Sequence, residues 1–84
     1  MEVFFFTFRS VTSAMRAQEL LAGASLRADV VRTPTALRGQ GCGYSLRVRR
    51  DDFERVLALL RNEALPFRRI YRRRGVEPWR EVRP

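Results

Sequence analysis

Val3 to Phe8 is a run of aromatic and β-branched residues bounded by Arg9-Ser10. Such a run, with no polar alternation, predicts a central strand buried on both faces. Ser10 follows as a helix N-cap, because its hydroxyl can accept a hydrogen bond from an early helical N–H. Val11, Ala14, Met15, Leu21 and Ala22 then fall near helical spacing, with Arg16 and Glu19 on the outer side and Gly23 as the stop. Ala28 to Arg32 reads as a short strand. Residues 33–43 have no clean period, and their proline and three glycines predict an irregular loop. Tyr44 to Arg49 alternates strictly, Tyr44, Leu46 and Val48 to one side and Ser45, Arg47 and Arg49 to the other.

Asp51 and Glu54 form a capping-box pattern ahead of a second helix, whose apolar face is Phe53, Val56, Leu57 and Leu60. Pro66 closes that helix, and Phe67 to Arg72 predicts a last strand. The order is β-α-β-β-α-β, that of a ferredoxin-like α+β fold. The expected architecture is a four-stranded antiparallel sheet with two helices on one face. Residues 1–74 form the expected single domain and 75–84, which include Trp79, a short charged tail. The far sheet face is expected to present Ser45, Arg47 and Arg49 beside Phe5 or its neighbours.

Composition narrows the chemistry. The chain has 84 residues, a net charge of +8, one cysteine and no histidine, and all 17 of its basic residues are arginine. A chain this short buries about 60–65% of its unfolded surface. Without lysine there is no Schiff base, and without histidine the commonest general base and metal ligand are missing. One cysteine excludes an internal disulfide, a CxxC redox pair and a thiolate-rich zinc site. No metal or cofactor is expected. The first eight residues carry an acid at position 2 and no basic n-region, so they are not expected to act as a signal peptide. They are also far short of the ~20 apolar residues of a membrane span. The unpaired cysteine then points to a reducing cytoplasm.

The charge is uneven: residues 1–42 hold five arginines and three acids, residues 43–84 twelve arginines and six acids. A basic half attracts polyanions such as nucleic acid, or acidic proteins. Replacement of every lysine by arginine through compositional drift explains the residue type but not the clustering. Arg68, Arg69, Arg72, Arg73 and Arg74 crowd the last predicted strand and its exit as a candidate anion-binding set. Gly43 to Arg49 lacks the aromatic spacing of an RNA-recognition strand. The same arginine run also serves as protection of a sheet edge.

Cys42 stands between Gly41 and Gly43. Small neighbours leave a thiol open to a partner, and the positive charge of Arg38 and Arg47 favours its thiolate. The opposite reading, a small buried hydrophobe, is common for free cysteine. Gly39, Gly41 and Gly43 also permit an anion cradle, against which stands a plain hairpin connection. The Lys-Ser/Thr of a P-loop is missing, and a strand follows where a helix should open.

The aromatic strand, the serine-capped helix, Thr33-Pro34, Cys42-Gly43, Leu46, Val48, Asp52 with Val56 and Leu57, and Ile70-Tyr71 together resemble the DUF3343 family. These are small bacterial domains described as selenium/sulfur carrier-like. The likeness covers about residues 3–72. This chain departs from the family in the Arg38-Gly39-Gln40-Gly41 segment before the cysteine. The resemblance implies that Cys42 carries sulfur or selenium as a persulfide or selenosulfide between donor and acceptor proteins, supported by Arg38, Gly41, Gly43 and Arg47. The protein is then a carrier rather than an autonomous catalyst. The other expectations are a basic or regulatory module docking nucleic acid or an acidic protein, and a homodimer formed through the open sheet face.

Overall fold

The computed structural model describes residues 1–37 and 43–83. Its elements are β1 (Glu2–Thr7), α1 (Val11–Gly23), β2 (Ala28–Arg32), β3 (Tyr44–Arg49), α2 (Phe53–Asn62), β4 (Ile70–Arg74) and β5 (Arg80–Val82). The strands form one antiparallel sheet in the order β2-β3-β1-β4-β5. The fold is α+β, and the expected four strands are corrected to five. β5 escaped notice because Arg-Glu-Val has no alternation to read; only Val82, opposite Ile70, packs against the core.

β1 lies in the middle because its side chains suit burial on both sides. Phe4 and Phe6 face Val48 and Leu46 on β3, and Phe6 faces Ile70 on β4. With Ala14, Ala17, Leu21, Phe53, Val56 and Leu60 from the helices they make the core, so both helices cover one sheet face. Phe53 stacks on Phe4 at 4.1 Å between ring centroids, and Phe67 meets Phe6 edge-on at 5.2 Å. Phe5 points to the other face, yet it is also buried.

Ser10 caps α1 as expected, its Oγ accepting from the Ser13 N–H at 3.2 Å. The buried stripe of α1 keeps Ala14 and Leu21 from the expected set and adds Ala17. Val11, Met15 and Ala22 are exposed, while Ala14, Ala17 and Leu21 are buried. Spacings of three and four place those three on one line, and two alanines let the helix lie close to the sheet. The expected capping box is also corrected. Residues 50–52 form a 3-10 turn, and Asp52, in the N-cap position of α2, makes no side-chain capping bond. Its backbone is already helical (φ −101°, ψ −3°), so its carboxylate is not presented as an extended N-cap would present it. The Glu54 carboxylate instead meets Arg50 at 3.4 Å.

Both helices end in the same way. The Leu26 N–H reaches the Leu21 carbonyl and the Leu65 N–H the Leu60 carbonyl, while Ser25 and Ala64 take the left-handed conformation. These are Schellman endings with a hydrophobic residue just beyond. Thus α2 stops at Asn62, ahead of Pro66, and the last helix-side strand starts at Ile70 rather than Phe67. Residues 68 and 69 still bond Thr7: the Arg68 N–H donates to its carbonyl, and its N–H donates to the Arg69 carbonyl.

The charged edge is organised by one carboxylate. Glu2 meets Arg50 at 3.3 Å, Arg72 at 3.3 Å and Arg74 at 3.6 Å, with its own side chain only 11% exposed. No helix among the described residues is long and apolar enough to cross a membrane.

Two outcomes are expected in thermal or denaturant unfolding. Ala64→Gly relieves the left-handed strain at φ 54° and raises stability by about 0.5–1 kcal/mol. Glu2→Ala leaves three guanidiniums repelling one another and costs about 1–2 kcal/mol, discounted because each arginine is substantially exposed. Added salt screens that repulsion and shrinks the second loss, and a loss that grows with salt refutes it.

Candidate functional site

Cys42 lies in the connection between β2 and β3, and both ends of that connection are fixed. Arg32 and Tyr44 are the last paired residues of the two strands. One step further, the Thr33 N–H donates to the Gly43 carbonyl at 2.6 Å, which extends the ladder. Pro34 then removes a backbone donor, and the chain turns into a short 3-10 segment at Thr35–Leu37, closed by the Leu37 N–H on the Pro34 carbonyl at 2.8 Å. The Arg32 guanidinium sits 5.6 Å from the Tyr44 ring centre on the helix side of the hairpin. Cys42 and the neighbouring candidates Arg38 and Gly41 lie outside the described residues, as do Gly39 and Gln40.

Beneath the connection runs a row of hydroxyl side chains. Thr33 and Ser45 share a buried hydrogen bond of 2.6 Å between their hydroxyls. Ser45 stands directly opposite Thr7 on β1 and Val31 on β2. The Thr7 hydroxyl accepts from the Arg69 N–H at 3.0 Å. Ser45 was expected on an exposed face and is instead fully buried. Alternation assigned its side of the sheet correctly, but strands on both flanks and the Thr33 hydroxyl close that side around it.

The structure separates the other candidates. Arg47 is four residues beyond Gly43, about 13 Å along an extended strand. Its guanidinium pairs with Asp29 at 3.0 Å. The arginines of residues 68–74 do not form one patch. Arg68 is exposed, Arg69 pairs with Glu81 at 3.3 Å, and Arg72 and Arg74 converge on Glu2. Arg73 turns to the face away from the helices, its guanidinium 5.5 Å from the Trp79 ring centre. Trp79 was missed as a structural residue. It meets Phe5 edge-on at 4.7 Å and covers it from the side that the helices leave bare. The clue in the sequence was Phe5 itself, an apolar residue on a face otherwise read as basic. Among the described residues no group of three or more Cys, Asp or Glu side chains could hold a metal ion.

Residues 4–72 match the protein family described as "Putative Se/S carrier protein-like". The match takes in most of β1, all of β2 and β3, the start of β4, both helices, and the whole β2–β3 connection. No curated protein and no solved structure matches the chain.

The hydroxyl pair under the connection is expected to act as a unit. Thr33→Val and Ser45→Ala each lower stability by about 1–2 kcal/mol, and the double variant loses less than the sum. A double-mutant cycle from denaturant unfolding measures this. Strict additivity would show that the two hydroxyls are not coupled.

Proposed function

The chain belongs to this Se/S carrier-like family, and on that premise we propose that it carries sulfur or selenium on the Cys42 thiol. One observation carries the reading: the family match runs through Cys42, the only cysteine, in a connection whose two ends are held by the Thr33–Gly43 backbone bond and the Thr33–Ser45 hydroxyl pair. Those bonds tie Thr33 to Gly43, the residue next to the thiol in the chain.

The exchange needs no redox cofactor. The Cys42 thiolate attacks the outer sulfur of a donor persulfide, a new S–S bond forms, and the donor's S–S bond breaks with its electron pair leaving on the donor thiolate. An acceptor nucleophile then attacks the outer sulfur held on Cys42 and releases the Cys42 thiolate. A selenosulfide follows the same course with selenium as the outer atom. Arg38 supplies positive charge four residues before the thiol, and Gly41 and Gly43 keep side-chain bulk away from it. Arg47 is committed to Asp29, so its contribution is to the field around the hairpin rather than a direct contact. In this reading the first four strands and two helices form a ferredoxin-like βαββαβ domain with β5 added at the edge. The domain works in a reducing cytoplasm, and the catalysts of loading and unloading are its partners.

Incubation with glutathione persulfide followed by intact mass measurement tests the assignment. The expected result is one added sulfur atom per chain, removed by dithiothreitol and absent from Cys42→Ser. No adduct on the native chain, or an equal adduct on Cys42→Ser, sinks the carrier role.

A further inference from the structure

The sheet face away from the helices carries an arrangement that sulfur transfer does not use. Residues directly opposite across a sheet share a face, so the pairings give its rows. One row runs Asp29, Arg47, Phe5, Tyr71, Glu81, and the next runs Arg49, Val3, Arg73. The acids stand at the two outer positions and both are paired, Asp29 with Arg47 and Glu81 with Arg69. Arg49, 68% exposed, has only a 3.8 Å contact with Asp52. Arg27 is exposed just ahead of β2 and makes no salt bridge among the described residues. The charge left over on this face is positive.

Two aromatic rings lie among these cations, both half-buried: Tyr71 beside Phe5, and Trp79 against the Phe5 edge with the Arg73 guanidinium over it. The Nε of Arg73 is buried, and among the described residues it is the one buried side-chain nitrogen or oxygen with no hydrogen-bond partner. Beside the second row, a depression of about 400 Å³ is walled by Arg27, Arg47, Arg49 and Asp29 over Met1 and Val3. Glu2 also borders it, but its carboxylate is held by Arg50, Arg72 and Arg74.

We propose that this face binds single-stranded nucleic acid, with phosphates on Arg27, Arg49 and Arg73 and bases against Tyr71 and Trp79. Arg49 and Arg73 stand two strands apart, about 10 Å between backbones, and their long side chains can bracket a sugar–phosphate path across Val3. Rings interleaved with cations suit a ligand with both phosphates and flat bases. An acidic peptide uses the cations alone, and a duplex hides the base faces that the rings would stack on. The aromatics come from β4 and from the link to β5, which is why β3 shows no RNA-recognition spacing.

Trp79 is the single tryptophan and reports directly on the contact. The native chain is titrated with short oligouridylate, oligothymidylate and a duplex of equal length at stepped salt, following Trp79 emission and the anisotropy of a labelled strand. Both single strands are expected to quench Trp79 and to bind more tightly than the duplex. Arg49→Ala and Arg73→Ala should each lower the log–log salt slope by about one, whereas Arg16→Ala and Arg61→Ala on the helices leave it unchanged. Cys42→Ser binds as the native chain does, which separates this result from the carrier reading. Equal slope loss in the helix variants, tighter duplex binding, or binding with no change in Trp79 overturns the proposal. So does equal competition by polyglutamate or phosphatidylserine vesicles, or a shift to dimers that hides the face.

Discussion

A central strand with buried phenylalanines on both sides obliges the molecule to cover two sheet faces with only two helices. Phe4 and Phe6 take the helices. Phe5 is left pointing the other way, and exposing a phenylalanine there would forgo about 1.5–3 kcal/mol of burial. The chain meets that demand from its C-terminal segment, where β4 turns back into β5 and sets Trp79 on the Phe5 ring. At the opposite end of the same face, the Thr7, Ser45 and Thr33 hydroxyls are buried with their hydrogen bonds made. The need to bury β1 on both sides therefore accounts for the fifth strand and for the packing of Trp79.

The same geometry disposes of much of the excess charge. An all-arginine chain must place many large planar cations without letting them repel the fold apart, and a guanidinium can share a carboxylate with others while its stem covers apolar surface. Glu2 gathers three of them from β4 and the turn before α2, and Glu81 from β5 takes Arg69. Those pairs lie along the β4–β5 edge. On the β2–β3 side of the far face Asp29 takes Arg47, which leaves Arg49 with only its 3.8 Å contact to Asp52 and Arg27 without a salt bridge among the described residues.

Legibility in the sequence followed how local each determinant was. β2 and β3 could be bounded to the residue because short alternating segments flanked by turn residues carry their own signal, and the Ser10 cap could be named from its hydroxyl. In α1, Ala14 and Leu21 were placed correctly, but Val11 and Met15 were included for their hydrophobicity and Ala17 was passed over, while close packing against a sheet selects small residues. The Asp51–Glu54 pattern matched a capping box in spacing, but a 3-10 turn shifted the helix start and gave Glu54 to Arg50. Ser45, Trp79 and Glu2 were beyond reach for a common reason. Each depends on partners 12 to 74 residues away that only the sheet register brings together. Cys42 was the reverse case, conspicuous in sequence through its glycine neighbours and its place in the family match.

The two ends of the far face differ in kind, and the difference bears on how a lone thiol can be useful. The hydroxyl end, from which the Cys42 connection springs, is buried, with the Thr33–Ser45 and Thr7–Arg69 hydrogen bonds made, so it anchors both ends of the connection. The arginine end, about 13 Å along β3, offers charge but no nucleophile. With neither histidine nor lysine in the chain, the side chains that most often activate a thiol are missing. In the carrier reading, groups brought by a partner complete the chemistry at Cys42, and a partner with an anionic surface would be drawn to the same face of the sheet. If Cys42 carries sulfur and the far face binds an anionic partner, reaction and recognition divide along one strand, β3, with Gly43 at the first end and Arg49 at the second.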